Sequence, residues 1–147
     1  MVTTEHGEVS HRREIGASAD QVWELIADFG AIDRYSPMIE SCRVEGPDGV
    51  GQRRVLRLTN GTITISRLEA IDHRARTLTY RILETKLPLD DYTSTMVVEP
   101  RGSAACELIW TSRFLPKGAT LEEATRVLDE GLLGSLGDLQ ATFVSGS

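Results

Sequence analysis

Arg54 is the residue whose type and setting most demand a chemical partner. In an extended run over residues 52–58, Arg54, Leu56 and Leu58 share one face, while Arg53, Val55 and Arg57 share the other. A guanidinium on the apolar face needs a carboxylate, a ligand anion or water, or else must reach along its stem to the rim. Glu107 and Asp90 are the acids that could serve it from within the chain. Tyr80, Tyr92 and Trp110 are amphipathic aromatics on inward strand positions. They either complete a core or line a cavity, with an OH or NH in reach of a ligand. Tyr92, Tyr80 and Asp90 could do general acid–base work, with Arg54 holding a developing oxyanion. Asp90-Asp91 reads equally as a solvated loop.

Other chemistries find little support. His6, His11 and His73 are scattered, with no metal-ligand spacing, and there is no Gly-rich phosphate loop or GxSxG. A nucleophilic Ser36, Ser66 or Ser94 would need a base, and no histidine falls on an inward position. Cys42 and Cys106 read as free thiols, neither a disulfide nor a CxxC site. No metal and no cofactor are expected.

The element that must position these residues is a long helix over residues 119–143. Ala124, Leu128, Leu132, Leu136, Leu139 and Phe143 recur at spacings of 4, 4, 4, 3 and 4, one arc on a 3.6-residue period. Such a stripe has to be buried, and the rest of the chain offers mostly strands. Gly131, Gly134 and Gly137 interrupt the helix, each at about 1 kcal/mol relative to Ala. Gly131 and Ser135, at the edge of the arc, either leave room for a ligand or let helix and sheet pack closely. Ahead of it, residues 9–15 read as a strand. Ser18 and Gln21 form a capping box for a helix ending near Asp28, and residues 31–35 form a second short helix. Strands are predicted over residues 39–45, 52–58, 62–71, 77–83, 92–98 and 106–115, with Asn60-Gly61 as a hairpin signal and residues 86–91 as a loop. On residues 62–71, Ile63 and Ile65 alternate in one phase and Leu68 in the other, which predicts a bulge or a two-sided strand. Ile82 continues the Leu78–Tyr80 face, and Leu108, Trp110, Ser112 and Phe114 form the inward set of the last strand.

The 147 residues suit a single domain, with residues 1–7 as a flexible tail. A net charge of −6 without a basic run argues against nucleic acid and anionic membranes. The absence of a long apolar run or signal-peptide core suggests a cytoplasmic protein without stable membrane insertion, a monomer or homodimer.

The motifs residues 49–54, Asn60-Gly61, residues 66–72, residues 87–94, and residues 110–114 with Pro116 resemble the SRPBCC (START-like) superfamily, in its polyketide cyclase/dehydrase branch. The resemblance covers residues 14–143. It implies the helix-grip fold of the birch pollen allergen: α+β, a seven-stranded antiparallel sheet curved around the long C-terminal helix, with two short helices after the first strand. Against the plant abscisic-acid receptors of that branch, the gate loop after Gly61 looks about three residues shorter and lacks its Leu-Pro. Leu87-Pro88-Leu89 matches their latch without its His-Arg pair. Tyr92 and Ser94 match a pocket-facing Tyr and Ser. Ser36 stands at the hormone-pinning lysine, and Ser66 at an acid that could partner Arg54. A hormone receptor is therefore not expected, and Arg54 is free for an anionic or strongly polar ligand group.

The resemblance and the residues together predict binding of a hydrophobic or amphipathic small molecule (lipid, polyketide, isoprenoid or aromatic metabolite), anionic where it meets Arg54. The cavity between sheet and helix is expected to be lined by Arg54, Leu56, Leu58, Ser66, Tyr80, Ile82, Leu87, Pro88, Tyr92, Ser94, Trp110, Leu128, Gly131 and Ser135. The alternatives are a cofactor-independent cyclase or dehydratase with Tyr92 and Asp90 as catalytic groups, and an interaction or chaperone-like module with a filled cavity.

Overall fold

The computed structural model describes residues 6–145. Strand β1 (Gly7–Ile15) leads to helix α1 (Ala19–Ala27) and a 3-10 helix (Phe29–Arg34). Then follow β2 (Ile39–Glu45), β3 (Arg53–Leu58), β4 (Ile63–Asp72), β5 (Thr77–Glu84), β6 (Leu89–Pro100), β7 (Cys106–Pro116) and helix α2 (Leu121–Ser145). All pairings are antiparallel, in the order β1-β7-β6-β5-β4-β3-β2. This is the expected α+β helix-grip fold. Of the expected tail, residues 1–5 lie outside the described residues, and Gly7 opens β1.

Local chemistry explains the ends of the elements. Ser18 Oγ accepts the Gln21 backbone N–H, and the Gln21 side chain returns to the Ser18 N–H, completing the capping box. Thr120 does the same for α2, accepting the N–H of Glu123 at 3.1 Å. Ala124, Leu128, Leu132, Leu136 and Leu139 are buried, as the spacing predicts. The helix is tied to the sheet on one side, at β1. His11 Nε2 and Asp129 Oδ1 are 2.5 Å apart, and Arg13 Nη1 donates to Gln140 Oε1 at 2.9 Å. Gln140 Nε2 in turn donates to the Glu14 carbonyl at 2.7 Å.

Two expectations need correction, and the ambiguity left on β4 resolves. The second short helix is a 3-10 helix starting at Phe29, because Asp28 Oδ1 accepts the Gly30 N–H and starts the turn early. Strand β4 turns Thr64, Ser66 and Leu68 inward and leaves Ile63 exposed. Its two register shifts against β5 are the irregularity that the mixed phase predicts, but the buried phase is the more polar one. Strand β6 begins at Leu89, three residues before the predicted start. Its pairing with β7 shifts register between Asp90 and Thr93, and Asp91 takes φ +44°. A bulge inserts an extra residue, so Leu89 and Tyr92 both point inward although they lie three apart.

Candidate functional site

The strands and α2 enclose a cavity of about 80 Å³. Strand β3 contributes Arg54, Leu56 and Leu58, and β4 contributes Thr64 and Ser66. Tyr80 and Ile82 come from β5, Leu89 and Tyr92 from β6, and Trp110 from β7. The opposite wall is Val127, Leu128, Gly131, Leu132 and Ser135 of α2, with Ile32, Ser36, Met38 and Ile39 closing one side and Leu87 the loop side. The lining contains no Asp, Glu, His or Cys among the described residues.

Arg54 is 2% exposed. Its Nη1 donates to the Phe29 carbonyl at 3.2 Å. The Phe29 and Tyr80 rings lie against the guanidinium, with centroids 4.0 and 4.5 Å from Cζ. Nε and Nη2 have no hydrogen-bond partner. Glu107 cannot supply a carboxylate, because it pairs with Arg12 and Arg101 at 2.8 and 2.9 Å. Asp90 cannot either: it is exposed and accepts the Asp91 N–H at 2.9 Å. Ser66 stands directly opposite Arg54 in the β3–β4 register.

A second polar group is hydrogen-bonded throughout. Trp110 Nε1 donates to Ser94 Oγ at 2.7 Å, and the Ser94 and Ser112 hydroxyls are 2.9 Å apart, as are those of Ser112 and Tyr92. An indole N–H can only donate, so Ser94 Oγ accepts there, and the Ser94 O–H has two acceptors in reach, the Thr111 carbonyl at 3.3 Å and Ser112 Oγ. Burial, and then the neighbouring Tyr80, push the Tyr92 phenol well above its ordinary pKa, so it stays a neutral phenol and not a phenolate base. Burial also raises Tyr35, with the adjacent Arg54 charge working against it. On the helix side, the Ser36 and Ser135 hydroxyls are 2.9 Å apart, and Ser135 Oγ is 2.9 Å from the Gly131 carbonyl.

The cavity thus brings together Arg54, Leu56, Leu58, Ser66, Tyr80, Ile82, Leu87, Tyr92, Trp110, Leu128, Gly131 and Ser135. Three anticipated residues fall outside the lining. Ser94 is buried behind the wall in that hydrogen-bonded group, Pro88 lies in the loop with its carbonyl bonded to the Lys117 N–H, and the bulge turns Asp90 outward. Sequence reasoning missed Ile32, Met38, Ile39, Thr64, Leu89, Val127 and Leu132 as lining residues. Leu132 belongs to the helical stripe and Val127 flanks it, so both could have been read from it. Leu89 depends on the bulge, and Met38 on a segment without periodicity. The room anticipated at Gly131 is partly taken: a β-carbon there would lie 3.1 Å from Met38 Sδ.

Outside the cavity lies a surface groove of about 510 Å³ that shares Ile82, Leu89 and Tyr92 with it. Lys86 and Lys117, the two lysines of the sequence, line this groove.

The family model for polyketide cyclase/dehydrase and lipid transport proteins matches residues 6–144. The chain belongs to this polyketide cyclase/dehydrase and lipid transport family. This polyketide cyclase/dehydrase-family chain is 30% identical over 89 residues to the abscisic acid receptor PYL7 of Arabidopsis thaliana, covering 58% of this chain and 42% of the receptor. To PYL2 of the same plant it is 32% identical over 127 residues, 80% of this chain and 67% of the receptor. Among solved structures, the protein XoxI from Bacillus cereus superposes with a TM-score of 0.87 at 28% identity, over 94% of this chain and 96% of that one. The Zhui aromatase/cyclase of Streptomyces sp. R1128 shares the fold, with a TM-score of 0.79 at 22% identity over 94% and 93% of the two chains. No helix among the described residues is long and apolar enough to cross a membrane.

Proposed function

We propose that the chain binds a hydrophobic small molecule, of the lipid, polyketide, isoprenoid or aromatic-metabolite kind, between its sheet and α2. One observation carries this reading: the apolar side chains of β3, β5 and α2 stop short of one another and leave an open cavity, where close packing would otherwise close it. An interaction module with a filled interior does not need such a space. The family description and the two hormone-receptor relatives support a ligand-binding use of the fold. Abscisic acid itself is not proposed, because Ser36 and Ser66 stand where the resemblance puts a lysine and an acid.

Binding is preferred over turnover. A cyclase or dehydratase reading would use the Tyr92 and Arg54 donors to hold an enolate oxygen, but no acid–base side chain other than tyrosine lines the cavity. Native mass spectrometry of the purified protein tests the proposal, followed by extraction of what co-purifies and thermal-shift screening against fatty acids, flavonoids and polyketide mimics. A stoichiometric small molecule, or a saturable rise in Tm with one class, is expected. A protein that is empty and indifferent to every class would overturn it.

A further inference from the structure

Resting on the cavity reading above, we infer that the ligand is a carboxylate whose head docks in plane on the Nε–Nη2 edge of Arg54, with its apolar body along Leu56, Leu58 and Leu128. Nη1 is engaged by the Phe29 carbonyl, and Phe29 and Tyr80 cover the guanidinium. What remains is one edge, whose two N–H groups have no partner and are shut off from solvent, so a carboxylate reaches them as a wall side chain yields. That edge is a fork of two parallel donors, matched by two oxygens in its own plane. The same molecule turns this edge on its own carboxylates, where both donors share one oxygen. Arg76 places Nε and Nη2 on Asp20 at 3.0 and 2.6 Å, and Arg67 does so on Glu69 at 3.3 and 2.9 Å. Arg54 has the same fork and no acid to fill it.

The rest of the cavity agrees. Its one fixed charge is positive. An alcohol or amide would leave a buried cation without a counter-charge, whereas a carboxylate neutralises it. The space of about 80 Å³ is roughly half of the ~150 Å³ cavity known to hold benzene, so the guest's body is small or a wall yields. Met38, whose thioether fills the notch at Gly131, is the flexible side chain that can yield.

The test is calorimetry on the purified protein with matched pairs, benzoate against benzamide and hexanoate against hexanamide, at neutral pH. The acid of each pair should bind about tenfold to a hundredfold more tightly than its amide. Arg54→Lys keeps the charge without the fork and should lose most of that preference. Ser66→Glu puts a carboxylate on the opposed cross-strand position, roughly 5 Å away at Cβ. It should fill the fork, raise Tm without ligand and erase the acid preference. Equal affinity for acid and amide would overturn the carboxylate head and leave the cavity reading standing. No binding of acid, amide or any neutral hydrophobe would overturn both. A Ser66→Glu protein with no gain in Tm and its acid preference intact would also overturn the assignment.

Discussion

Arg54 carries a cost that the empty protein bears alone. Its charge is buried against one carbonyl and two rings, with two N–H groups unmet. Arg54→Met, similar in length and apolar, should therefore raise the stability of the ligand-free protein by roughly 1–3 kcal/mol, read as a higher denaturant midpoint at unchanged slope. The tyrosines give a second prediction at this scale. Tyr35 and Tyr92 are held above their ordinary pKa mainly by burial. The unfolded chain loses those protons near pH 10 while the folded one keeps them, so stability is intact below pH ~10 and falls as pH rises beyond it. In an alkaline titration, tyrosinate absorbance from these two should appear together with loss of near-ultraviolet circular dichroism. Two ionisations well before unfolding would count against the buried placement. Single residues were legible where alternation was clean: Arg54, Tyr80 and Trp110 face inward as their strands predict. They were illegible where a neighbour decided the outcome. The carboxylates that might have neutralised Arg54 are taken by Arg12 and Arg101 or turned outward, and no spacing along the chain says so.

At the scale of elements, α2 was the most readable segment, because a stripe of five leucine and alanine positions leaves one face to bury. Leu136, fully enclosed, should cost about 2–5 kcal/mol when cut to Ala. The glycines are different. A β-carbon at Gly134 or Gly137 meets nothing within 4 Å, so Ala at either should stabilise by up to about 1 kcal/mol and raise Tm by about 2–4 °C. Strands β4 and β6 were the least readable. Hydrophobic phase left β4 ambiguous, with Ile63 and Ile65 against Leu68, and tertiary pairing buries the phase of Thr64, Ser66 and Leu68. On β6 the bulge at Asp90–Asp91 moves the strand's start, which a period-two pattern cannot register. That bulge is held by its own hydrogen bonds: Asp91 accepts from His6 at 2.8 Å and from Arg81 at 3.1 Å. The His6 hydrogen bond, and behind it the Arg81 charge, keep the Asp91 carboxyl below its ordinary pKa. Its contribution is thus complete above pH ~4 and disappears as pH falls through the lower folded value. Asp91→Asn should lower Tm at neutral pH and flatten its acid dependence, and equal acid profiles for the two proteins would refute the role of this pair.

For the whole molecule, the helix-grip architecture followed from the order of elements and the motifs, whereas the size of the interior space did not. That space depends on how far each wall side chain reaches, Met38 against Gly131 above all. The molecule is also asymmetric: α2 is fastened to β1 through His11, Arg13 and Gln140, while the cavity lies against β3–β7. The two lysines add a practical consequence. Since Lys86 and Lys117 both border the groove beside Tyr92, amine-directed reagents (a dye ester, a biotin tag, an activated sensor chip) will modify the side chains of that one face. A protein coupled to a chip through these two side chains would be tethered groove-down, with its cavity wall turned to the matrix. Affinities read from such a surface should come out weaker than those measured with the protein free and unlabelled.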